Sequence, residues 1–118
     1  MKTSKSPITT HILDTSRGRP ASDIAVTLEA QSADHVWTPL SSEKTNADGR
    51  IDNFTGLAAQ MQAGIYRLTF VTEPYFRTLN VESFYPVVTV IFQIRTPEKH
   101  YHVPLLLNPF GYSTYRGT

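Results

Sequence analysis

Ile65-Tyr66-Arg67-Leu68-Thr69-Phe70-Val71 decides the fold. Its residues alternate with a period of two, which turns Tyr66, Leu68 and Phe70 inward and makes the segment a half-buried strand. Working outward, Ile24 to Ala30 repeats the pattern, with Ile24, Val26 and Leu28 on one face. Ile8 to Leu13 is an earlier run of β-branched and apolar residues with His11 inside it, and Asp14 to Pro20 reads as a turn. Residues 31–35 are loop-like, and His35 to Thr45 is a strand weakened at its middle by Pro39. Asn46-Ala47-Asp48-Gly49-Arg50 is a tight turn, because Asp-Gly suits the positive φ that such turns require. A short strand, Arg50 to Phe54, and a loop over 55–64 follow it. On the far side, Glu73 to Asn80 is the helix candidate, with Pro74 tolerated in the first turn and Thr72 available as N-cap. Val87 to Arg95 is the most β-like run, followed by His100 to Leu107 and Tyr112 to Arg116. About eight short strands at this spacing predict an all-β sandwich with one small helix. The domain spans 8–118, behind a disordered lead-in over 1–7.

With 118 residues the chain suits one hydrophobic core. Its 11 basic and 10 acidic side chains nearly cancel, which removes the electrostatic case for nucleic acid or an anionic membrane. No apolar run approaches bilayer-crossing length, and the basic start Met1-Lys2 has no apolar stretch behind it to make a secretory signal. Zero cysteines exclude a disulfide, a thiolate nucleophile and a Cys-ligated metal. The simplest compartment is cytoplasmic, and a peroxisomal matrix is compatible with a eukaryotic source even without a Ser-Lys-Leu ending.

Chemistry concentrates at the end of the chain, HYHVPLLLNPFGYSTYRGT, His100 to Thr118. His100 and His102 lie two apart, so both occupy one strand face with Tyr101 opposite. That pair fits a metal given a third ligand, a general base, or a solvated strand face. His11 by itself reads most simply as a structural or surface histidine. Arg50, directly after the Asp-Gly turn, is either solvated or a fixed guanidinium holding a planar, oxygen-rich group through paired donors. The chain has no G-x-S-x-G elbow, phosphate-binding Gly-rich loop or H-E-x-x-H. Any catalysis therefore falls to His, Arg and hydroxyl groups.

Four motifs, in this order, resemble the transthyretin-like family and its enzyme branch, the 5-hydroxyisourate hydrolases. They are Thr10-His11-Ile12-Leu13-Asp14 with Gly18-Arg19-Pro20-Ala21, Thr45 to Arg50, HYHVPLLL, and the terminal YSTYRG. The enzymes carry a closing Tyr-Arg-Gly-Ser that the hormone-carrying transthyretins lack. The resemblance implies a prealbumin-like sandwich of two four-stranded sheets and a homotetramer, a dimer of dimers with active sites in a central channel. It implies hydrolysis of 5-hydroxyisourate without cofactor or metal. Catalytic roles fall on His11, Arg50, His102 and Thr118, and substrate binding on His11, Arg50 and Tyr115. In that scheme His102 is the general base and Arg50 stabilises negative charge. His11 either positions substrate or protonates the leaving nitrogen. The alternative is a transthyretin-type carrier of a small ligand without catalysis. Two positions depart from the enzyme pattern: Thr118 stands where Ser is usual, and Asn108 replaces a Ser before Pro109. Thr keeps the hydroxyl, so reduced or unchanged activity is expected of it, with χ1 more restricted.

Overall fold

The structure, a computed structural model, describes residues 6–57 and 61–118. In chain order the strands are β1 (Ile8–Asp14), β2 (Arg19–Pro20), β3 (Ala25–Gln31), β4 (Trp37–Lys44), β5 (Arg50–Ile51), β6 (Gly64–Val71), β7 (Val87–Ile94), β8 (Tyr101–Asn108) and β9 (Gly111–Thr114), with one helix, α1 (Glu73–Thr78), after β6. One sheet runs β4-β3-β6-β7, antiparallel throughout; the other runs β2-β1-β8-β9, with β5 also paired to β1. Within the second sheet β1 and β8 are parallel. The inner faces meet in one core. Ile8, Ile12, Leu105 and Leu107 come from one sheet, and Val26, Leu28, Leu68, Phe70 and Val88 from the other. Burying each such side chain contributes about 1.5–3 kcal/mol. Period-two alternation therefore reads the core correctly: Ile24, Val26, Leu28, Tyr66, Leu68 and Phe70 are all buried.

Local differences from expectation have local causes. Pro39 lies on the edge strand β4, where its missing N–H matters least, and the pairing with β3 shifts register between Leu28 and Glu29 to accommodate the segment. The helix ends at Thr78 instead of Asn80, because Asn80 takes a left-handed φ of 59°. There the N–H groups of Asn80 and Val81 close back on the carbonyls of Arg77 and Phe76. Thr72 makes no side-chain cap; its hydroxyl donates to the Tyr85 carbonyl at 3.0 Å. The strand expected over 50–54 shrinks to Arg50–Ile51, and residues 58–60 of the expected loop lie outside the described residues. So do residues 1–5 of the expected lead-in; its last two residues are hydrogen-bonded, Ser6 N–H to Asp52 O and Pro7 O from Tyr101 N–H. Among the described residues no helix is long and apolar enough to cross a membrane.

Candidate active site

Along β1, Thr9 and His11 alternate with the buried Ile8, Thr10 and Ile12, and so project from the outer face of their sheet. Parallel pairing sets Thr9 beside His102 on β8, and His11 beside Pro104. Because strand neighbours share a face, His102 points the same way. His100 lies two residues earlier, its ring 6.4 Å from that of His102 and nearly parallel to it. Tyr101, between them, is buried on the opposite side. The Thr9 hydroxyl lies between the two imidazoles, 2.7 Å from His102 Nδ1 and 3.0 Å from His100 Nε2.

Arg50 reaches this face through the Asp-Gly turn. The Asn46 side-chain carbonyl accepts from the N–H groups of Asp48 and Arg50, at 2.9 and 3.0 Å, which locks the turn shut. Gly49 has φ +72°, and a Cβ there would sit 2.5 Å from the Ile12 carbonyl oxygen. Only glycine allows this approach, which lets the Gly49 carbonyl accept from Ile12 N–H at 2.8 Å. The result is a register that sets Arg50 directly opposite His11. Burial and the Arg50 charge push the His11 pKa below its ordinary 6.5, against smaller opposing effects from Asp48 and Asp52. His11 is therefore a neutral imidazole near neutral pH.

The end of the chain closes on His102. After β9 pairs with β8, the backbone continues past Tyr115 and Arg116, and Gly117 forms an isolated antiparallel bridge to His102. Its N–H donates to the His102 carbonyl at 2.8 Å. A Cβ on Gly117 would lie 2.5 Å from His102 Cδ2 and 3.2 Å from Pro104 Cγ, so the tail rests directly on the imidazole. Thr118 follows one residue on and is exposed. Tyr115 and His102 both line a cavity of about 210 Å³, together with Val90 to Gln93 of β7. Arg116 lies over the Tyr101 ring, 4.6 Å from its centroid.

Of the residues singled out in sequence, His11, Arg50 and His102 share one sheet face; Tyr115 and His102 line one cavity, which neither His11 nor Arg50 lines. The Tyr112–Arg116 strand is shorter than expected, so Tyr115 and Arg116 lie beyond β9. Sequence reasoning passed over Thr9 and Gly117. Thr9 carried a usable signal, since it stands two residues before His11 on the same face; Gly117 carried none outside the terminal motif. Among the described residues no group of three or more His, Asp or Glu side chains is arranged to hold a metal ion.

The HIUase/Transthyretin family model matches residues 8–117. A mouse (Mus musculus) 5-hydroxyisourate hydrolase is 43% identical over 119 residues, covering 100% of each chain. Among solved structures, sea bream transthyretin in complex with thyroxine superposes with a TM-score of 0.87 at 35% identity, covering 95% of each chain. The 5-hydroxyisourate hydrolase of Klebsiella pneumoniae gives 0.80 at 37% identity, over 94% of this chain and 98% of its own.

Proposed function

The chain belongs to the HIUase/Transthyretin family, and we propose that it opens the six-membered ring of 5-hydroxyisourate, an oxidation product of urate, by hydrolysis. It is a cyclic amide hydrolase of urate degradation. Water attacks the C6 carbonyl, the N1–C6 bond breaks, and 2-oxo-4-hydroxy-4-carboxy-5-ureidoimidazoline results. The reaction needs a base for water, a positive group for the tetrahedral oxyanion, and a proton for the leaving nitrogen.

His102 is the base, and the imidazolium it becomes is the proton source for N1. Arg50, charged at any working pH, binds the oxygen-rich ring and stabilises the oxyanion. His11, held neutral by burial and by Arg50, is a poor proton donor, which favours a positioning role through hydrogen bonds over protonation of N1. Tyr115 borders the bound ring, and the Thr118 hydroxyl orients His102 or the water. What supports the roles of His11, Arg50 and His102 is one observation: they share a face.

The working unit is a homotetramer, a dimer of dimers whose central channel is lined by this face. The edge strands β7 and β9 leave Val87, Ile91 and Tyr112 exposed, with Tyr115 just beyond, an apolar edge suited to pairing with another copy.

Decay of freshly generated 5-hydroxyisourate, followed by ultraviolet absorbance, tests the reading. Protein should accelerate it well above the spontaneous rate, and His102→Asn should lower kcat about 10²–10⁴-fold while the protein stays folded. Folded, tetrameric protein without acceleration would favour a carrier instead.

A further inference from the structure

Thr9 is 1% exposed, and its hydroxyl lies within hydrogen-bonding distance of one nitrogen on each of two histidines. A hydroxyl has one proton to give and two lone pairs to accept with, so Thr9 either accepts from both nitrogens or accepts from one and donates to the other. In the first two arrangements His102 Nδ1–H donates to Thr9, which either accepts from His100 Nε2–H as well or donates to His100 Nε2. In the third, His100 Nε2–H donates to Thr9 and Thr9 donates to His102 Nδ1.

These arrangements differ at the nitrogen that matters. When His102 carries its proton on Nδ1, its Nε2 is unprotonated and can take a proton from water. When Thr9 donates to Nδ1, neutral His102 already holds its proton on Nε2 and has nothing to accept with there. After proton uptake the first two arrangements keep the bond to Thr9, because the imidazolium has the same Nδ1–H. The third requires the hydroxyl to turn round. A base that must cycle between neutral and charged forms is served by the arrangements in which Nδ1–H donates to Thr9.

We propose that Thr9 is a positioning residue for His102, and that the hydrogen bond from His102 Nδ1–H to Thr9 holds His102 as the tautomer with an unprotonated Nε2. This rests on His102 being the general base. His100 is the second partner of the same hydroxyl. The role resembles that of a carboxylate behind a catalytic histidine, with a neutral hydroxyl in place of the charge.

Two measurements test it independently. Nitrogen-15 NMR of the untouched protein should show the proton of neutral His102 on Nδ1; a proton residing on Nε2 overturns the proposal whatever the kinetics. Thr9→Val keeps the branched shape and removes the hydroxyl; it should cost roughly 10–100-fold in kcat with KM little changed, and blur the tautomer preference. Thr9→Ser, which restores the hydroxyl, should recover activity to within a few-fold. Wild-type turnover in Thr9→Val would sink the proposal, as would a Thr9→Ser enzyme that folds but is equally impaired. Full activity in His102→Asn would instead remove the general-base assignment on which the proposal stands, a result the Thr9 variants cannot mimic.

Discussion

The two sheets present outer faces built from similar materials and arranged to opposite ends. On the β4-β3-β6-β7 face, Arg67 donates to Glu29 at 2.8 Å, lies over the Trp37 ring at 4.3 Å, and Thr69 adds a further bond to Glu29. Thr27 and Ser42 pair across the neighbouring strands. The Arg67 guanidinium there has its opposite charge at hand. On the other face, Arg50 stands beside His11, and among the described residues no carboxylate forms a salt bridge with it. One face pairs its arginine with a carboxylate; the other sets a cation against a histidine whose pKa is lowered by burial and, second, by that cation. A self-neutralised surface has little left to offer a ligand, whereas an unpaired guanidinium beside a neutral imidazole suits an oxygen-rich ring.

The same substitution on each face gives the largest contrast. Arg50→Gln should lower kcat/KM about 10²–10³-fold, the usual cost of losing one oxyanion-stabilising donor, with little effect on unfolding. Arg67→Gln should leave turnover intact and cost only about 0.5–1 kcal/mol in urea denaturation. Equal effects on activity would erase the distinction between the faces. Gly117→Ala comes next: its Cβ would have to displace the His102 ring or lift the tail, and a shift of that size should cost roughly 10²-fold in kcat without lowering Tm. An alanine variant with normal kinetics would mean the tail does not set the position of His102.

How far each face could be foreseen follows from its burial. β3 and β6 have one buried and one wetter side, so alternation named their core residues directly. β1 alternates as well from Thr10 onward, with His11 and Leu13 half-buried, but Thr9 on that same outer face is buried. Its place two residues before His11 marks the shared face, yet by residue type Thr9 passes as one more β-branched residue. His100 and His102 were legible as a pair because spacing alone puts them together. The link between Gly117 and His102 was not, since no local rule describes a backbone pressed on an imidazole from another strand. Family motifs supplied His11 and Arg50 as candidates; the Asp-Gly turn and its register with β1 give the physical reason they are neighbours.

Titration sharpens the comparison at smaller scale. Since Arg50 contributes to the lowered pKa of His11, Arg50→Gln should move the His11 titration upward when followed by proton NMR. Burial, the larger cause, remains in the variant, so the shift should not be reversed in full. An unmoved His11 would show that burial alone keeps it neutral and that the adjacent cation is incidental.

Glu29 provides the mirror image and the smallest effect. Its carboxyl is held below the ordinary 4.5, chiefly by the hydrogen bond from Arg67 and against the opposing effect of burial. The unfolded chain therefore takes up that proton first. The stabilisation is complete above pH 4.5 and is lost as pH falls through the lower folded-state value. His11 has the same sign for a different reason: its neutral form is the folded one, so stability falls as pH drops below 6.5 and protonation sets it against Arg50. Wild type and Glu29→Gln should thus differ by about 0.5–1 kcal/mol in urea at neutral pH and converge in acid. Turnover at neutral pH should be the same in both. A Glu29→Gln enzyme that lost activity while keeping its stability would mean the self-neutralised face communicates with the site, and the two faces could no longer be treated as separate.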